Sequence, residues 1–187
     1  MDEKTLKKYS RNALIGSFAS MLTAGLATMM YSVSLSMIKK DLALNSAQAG
    51  SLSTWTFLGQ MIGGMVAGYI ADRVGRKKVL IVDVILATVA VFLTSLANSY
   101  SVFAVLRLIT GVGLGGCYYI ASILIGEFVS TDKRGFMSGV ATSVWNFGYV
   151  IVCVISALVL PSIGWRACFR ICALPILMVF FMIFCMK

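Results

Sequence analysis

Histidine is absent from this chain, proline occurs twice, and aspartate and glutamate together number 7 against 16 lysines and arginines. The missing imidazole removes the commonest general base and the commonest metal ligand. Cys117, Cys153, Cys168, Cys172 and Cys185 form no CxxC pair and have no histidine with which to build a zinc site, so they read as small packing residues. No nucleophile is paired with a base, so an enzyme, a bound metal and a cofactor are all unexpected. Charge is scarce as well: 12% of residues are charged and 59% are hydrophobic, which excludes an ordinary water-soluble domain. Stretches of alternating polarity are missing, which excludes a membrane β-barrel.

What the chain does have is long apolar runs. Six are expected to cross a bilayer as helices, at residues 13–38, 47–71, 79–97, 102–128, 136–160 and 167–186. The fold class is therefore all-α, a polytopic membrane protein with a short cytoplasmic segment, 1–12, ahead of one transmembrane domain, 13–187. The first run follows Lys4, Lys7, Lys8 and Arg11 as a signal sequence would, but at about 26 residues it exceeds a signal core of about 7–15 and reads as a retained helix.

Lysine and arginine set the expected orientation. With the N-terminus inside, the inner side collects the four N-terminal cations, Arg73, Arg76, Lys77, Lys78, Lys133, Arg134 and Lys187; the outer side has Lys39, Lys40, Arg166 and Arg170. Both termini are expected in the cytoplasm. This topology absorbs much of the net charge of +9, so no nucleic-acid partner is needed, and the bilayer is the partner expected of the basic flanks.

Glycine is abundant and patterned. "GVGLGG", 111–116, matches GxGxxG, yet it falls inside an apolar helix and lacks the preceding strand of a dinucleotide site. Close helix packing explains it better, because Gly59/Gly63, Gly64/Gly68, Gly111/Gly115 and Gly135/Gly139 all have small-xxx-small spacing.

Between the second and third runs lies "GYIADRVGRKKVL", 68–80, five charges in a short turn. It resembles the signature loop of the major facilitator superfamily, G-x-x-x-D-R-x-G-R-[RK], with Gly68, Asp72, Arg73, Gly75, Arg76 and Lys77 in matching positions. "RLITGVGLGG" resembles the family's fourth-helix pattern, "GEFVSTDKRG" its second cytoplasmic loop, and "GWRACFRICALP" the opening of the sixth helix in its organic-acid and sugar transporters. The resemblance implies one six-helix half of a transporter with two nested three-helix inverted repeats, working by rocker-switch alternating access, with the C-terminal half absent. It also implies a latch: Asp72 would meet the positive end of a helix in the other half, and Arg76 would pair with Glu127, with Arg134 in the following turn.

Substrate-facing candidates come from polar and aromatic residues inside the runs. Arg107 lies within the fourth; it binds an anion or gates the outer vestibule, or else snorkels to the outer interface. "GLATMMYSVS" and "GLGGCYYIAS" share G-L-x4-Y-x2-S, which aligns Tyr31 with Tyr119 on cavity-lining helices. Trp55, Gln60, Trp145, Asn146 and Tyr149 complete the set, with interhelical bonding as the alternative for Gln60 and Asn146, while Trp165 reads as an interface anchor. Asp83 and Glu127 are titratable but are assigned to the latch, and no acid lies between Asn12 and Lys40, so the proton-carrying residue is left open. The reading favours a small organic anion moved by proton symport across the plasma (inner) membrane, with a sugar as runner-up. A half-size transporter that dimerises with a second copy, and a scaffold without transport, are the remaining alternatives.

Overall fold

The structure, a computed structural model, describes residues 3–173, and of these the side chains of all but 3–10, Val159 and Pro161. Six helices and no strand occur among the described residues: α1 (Glu3–Asp41), α2 (Ser46–Val74), α3 (Arg76–Thr94), α4 (Tyr100–Phe128), α5 (Thr131–Ile163) and α6 (Trp165–Ile171). The expected sixth span lies mostly outside them, as do Cys185 and Lys187.

Local chemistry sets the breaks. Asn45 opens α2 with a reciprocal capping box, its Oδ1 accepting from the Gln48 amide at 2.7 Å while the Gln48 Oε1 accepts from the Asn45 amide at 3.0 Å. Gly75 alone separates α2 from α3, with φ of 100°, a conformation costly for any residue with a Cβ. Ser99 caps α4 by accepting from the Val102 amide. The basic stretch expected to form a separate segment is instead the beginning of α1. Lysine and arginine are excluded from hydrocarbon but are good helix formers, so the helix outruns its apolar part.

By length and composition, three helices are apolar enough to cross a membrane: α1 from Arg11, α4, and α5 as far as Leu158. α2 is equally long, but Ser, Thr, Gln and Gly dilute it; α3 has 19 residues and carries Arg76, Lys77, Lys78 and Asp83. Among the described residues, three of the five long helices meet the compositional test that the runs were expected to pass, and the sixth run lies mostly outside those residues.

α2 packs most extensively on α4, and α1 on α5. A repeat that maps α1 onto α4 and α2 onto α5 requires this exchange. The α2–α4 seam is made by interlocked glycines: a Cβ at Gly59 would strike the Leu108 carbonyl, at Gly63 that of Val112, at Gly111 that of Thr56 and at Gly115 that of Gln60. Gly25 and Gly148 serve the α1–α5 seam, where a Cβ on Gly25 would meet the Trp145 carbonyl. Gly135 and Gly139 share the same spacing yet have open space around them, so that pair does not pack within this bundle.

Candidate functional site

Two ends of the bundle differ in chemistry. The basic end holds Gly75, Arg76, Glu127 and Arg134. Arg76 is ion-paired with Glu127 at the last turn of α4 and lies 3.9 Å from Asp72, one turn earlier on α2. Asp72 remains 74% exposed, so its carboxylate is presented outward rather than consumed by the pair. Arg73 lies over the Tyr69 ring at 4.3 Å. Arg134 is turned away from this cluster: its Nε donates to the Val129 carbonyl at 3.1 Å and closes the α4–α5 turn. Lys77 lines a crevice beside Arg76 and Glu127.

A cavity of about 470 Å³ opens between α1, α2, α4 and α5, within the size range of small-molecule sites. Gln60, Tyr119 and Trp145 line it, joined by Thr28, Phe57 and Met61. A second concavity continues along α2 through Gly64, Gly68 and Tyr69 to Asp72, and Tyr119 borders both. Gly68 permits this, because a Cβ there would come within 2.7 Å of the Tyr119 ring. Phe57, Gln60, Met61 and Gly64 fall at i, i+3, i+4 and i+7, one face of α2. That periodicity was the available signal for Phe57 and Met61; Thr28 carried none, being a hydroxyl that bonds the Ala24 carbonyl of its own helix.

The other candidates lie elsewhere. Trp55, Asn146 and Tyr149 are exposed but do not line this cavity, and the Asn146 amide donates to Thr142 in its own helix rather than bridging to another. Tyr31 is buried and donates to the Ala49 carbonyl. Its expected equivalence with Tyr119 therefore fails, as does that of buried Ser34 with exposed Ser122. The repeat's register is different: Gly25 faces α5, so its counterpart on α4 must face α2, as Gly111 and Gly115 do, whereas Gly113 faces α3.

Arg107 neither reaches an interface nor lines the main cavity. It is 1% exposed at the far end of the bundle, boxed by the rings of Tyr31, Phe169 and Phe103 at 4.7, 5.3 and 5.6 Å. Attraction to three ring faces compensates a cation whose Nε and Nη2 find no hydrogen-bond partner. Trp165, expected at the interface, is buried against Phe103 and Phe169 and donates from Nε1 to Asp41 at 3.0 Å. Arg166 also engages Asp41 and donates to Asn98 Oδ1 at 3.1 Å, tying the α3–α4 and α5–α6 turns to the end of α1.

Among the described residues no group of three or more His, Cys, Asp and Glu side chains could hold a metal. A neutral polar and aromatic cavity thus runs along one helix face to an exposed carboxylate beside an ion pair.

The sequence model of the Major Facilitator Superfamily matches residues 17–187. The chain is 31% identical over 172 residues to the cis,cis-muconate transport protein of Acinetobacter baylyi, covering 92% of this chain and 42% of that one. It is 31% identical over 144 residues to the niacin transporter NiaP of the same organism, covering 77% and 33%. In three dimensions it superposes on the proton:xylose symporter XylE bound to 6-bromo-6-deoxy-D-glucose with a TM-score of 0.82, at 20% identity over 95% of this chain and 45% of that one. The chain spans less than half the length of these relatives. Family membership and the apolar helices make it an integral membrane protein with the helical architecture of one transporter half. On the match to its sequence and the agreement of its fold, this chain belongs to the major facilitator superfamily.

Proposed function

We propose that the chain is the N-terminal half of a secondary transporter that moves a small organic anion by proton symport, rocking against a second half around the cavity of α1, α2, α4 and α5. The basic end faces the cytoplasm, in keeping with the excess of lysine and arginine there. The observation that carries the reading is the continuity of one α2 face, from Gln60 in the cavity past Tyr119 to Asp72 beside the Arg76–Glu127 pair. A group bound in the cavity and a carboxylate presented to the other half are thus attached to the same stiff helix. Asp72 then latches one conformation by meeting a helix N-terminus across the interface, an interaction of about 0.3–1 kcal/mol when exposed and more when partly buried.

The names muconate and niacin, carried by two relatives, denote carboxylates at neutral pH and support the anion reading. Arg107 does not, because its aromatic box withholds it from the cavity. In this half the anion meets neutral donors, Gln60 and Tyr119. A sugar is the second reading, favoured by the same amide and hydroxyl groups beside Trp145.

Uptake by the full-length protein in proteoliposomes under an imposed proton gradient tests both. Inhibition of labelled muconate or niacin uptake by excess carboxylates and not by hexoses or pentoses is the expected result; the reverse pattern moves the assignment to sugars. Gradient-independent uptake overturns symport. Absence of uptake for either class sinks the transport reading and leaves a scaffold, and activity from a dimer of this chain alone replaces the two-half arrangement with a half-size transporter.

A further inference from the structure

Asp83 is the one acid on α3, and it does not join the cluster to which it was assigned. It lies two turns in from Arg76, about 10 Å along the helix. There it is 8% exposed, and its Oδ2 has no hydrogen-bond partner. The carboxyl fills the place of a side chain on α4: a Cβ at Gly116 would meet Oδ1, Oδ2 and Cγ, and at Gly113 it would meet the Asp83 carbonyl and Ala87. Two glycines of α4 thus form a niche for one acid of α3.

We propose that Asp83 is a proton-binding site built into the α3–α4 contact, separate from the Asp72–Arg76–Glu127 cluster and loaded while the two helices are closely packed. A carboxylate within a membrane-spanning bundle needs a cation, several donors or a proton, since a bare charge at depth costs about 2.5–3.5 kcal/mol on insertion scales. No cation meets it: among the described ion pairs none involves Asp83. The groups that face it are few. On α4 the neighbour is the Cys117 thiol, a weak donor; on α3 itself, Lys78 stands at the basic end of the same crevice; from α2 the crevice receives only Gly63 and apolar side chains; and beyond Cys117, α1 contributes Ala19. Arg76 and Glu127 are engaged with each other.

The crevice supplies the route. It measures about 160 Å³ and runs between α2, α3 and α4 from Val74 and Lys78 to Asp83 and Val112. A hydronium ion at the basic end loses one O–H bond and becomes water as the carboxylate gains one, and the carboxyl returns the proton to water by the same path when α3 separates from α4. This inference rests on the transporter reading for its purpose, but not for its chemistry.

The test is infrared spectroscopy of the full-length protein in lipid nanodiscs. The protonated carboxyl C=O band of the wild type is expected at neutral pH, to weaken as pH rises, and to be missing from Asp83→Asn. Gly116→Ala, which presses on the same carboxyl, is expected to move the band. Identical spectra for wild type and Asp83→Asn overturn the proposal. Should Asp83→Asn fail to fold, the wild-type series decides, since a carboxyl band that is absent or constant from pH about 5 to about 8 overturns it equally. Proteoliposomes then separate the two readings: Asp83→Asn is expected to keep solute exchange while gradient-driven accumulation falls to background. Loss of transport by the wild type would instead count against the transporter reading alone.

Discussion

The two ends of the bundle solve the problem of charge at a membrane boundary in opposite ways. At the far end, Asp41 accepts from both Trp165 and Arg166, Arg166 also reaches Asn98, and Arg107 is sealed among Tyr31, Phe103 and Phe169. Those partners all come from this chain. At the basic end, Arg76 and Glu127 satisfy each other while Asp72 stays exposed beside them. The far end thus meets its charges with internal partners, while at the basic end one carboxylate is left exposed. On the proposed reading, that exposed group is the one available to a second half.

Substitutions at the far end should cost the most. Arg107→Ala empties the aromatic box and is expected to lower stability by about 3 kcal/mol, read as a thermal melting shift in detergent. Arg107→Met keeps the volume and should cost about 1 kcal/mol or less; equal damage from both would mean that charge, not filling, holds the box. Asp41→Ala leaves the buried indole N–H of Trp165 without its acceptor, and a loss of about 1 kcal/mol is expected. At the basic end, Glu127→Gln should cost about 0.5 kcal/mol, with a difference that shrinks in high salt, because the pair is partly exposed.

The smallest stability change belongs to Asp72→Asn, within about 0.5 kcal/mol. Its effect should appear instead in conformation: a cysteine placed at Met61 in the cavity is expected to change its rate of alkylation in the full-length protein. An unchanged rate together with a large melting shift would make Asp72 a structural residue and erase the contrast between the ends.

Hydropathy and punctuation carried most of the helical layout, because long apolar runs and breakers such as Asn45 and Gly75 act locally. The starting point of α1 was not legible, since Lys4, Lys7 and Lys8 suit a helix and water equally well. Small-xxx-small spacing identified the seam glycines Gly59, Gly63, Gly111 and Gly115 but applied equally to Gly135 and Gly139, whose surroundings are open. Spacing states what a helix can accept, not what approaches it. The same limit governed Arg107: sequence gave its depth, but the box depends on α1, α4 and α6 converging, so neither gating nor snorkelling anticipated it. Tyr31 and Tyr119 share a local pattern and differ in burial because their helices present those positions to different neighbours.

Gly75 carries one further implication. A connection of a single residue leaves no slack between α2 and α3, so the tip of the hairpin is held by both helices. Arg73, Arg76, Lys77 and Lys78 around it resist being drawn into hydrocarbon. The residue that sets the turn therefore also sets the depth of two helices at once, because neither α2 nor α3 can slide along its axis toward the far end without drawing that basic tip with it.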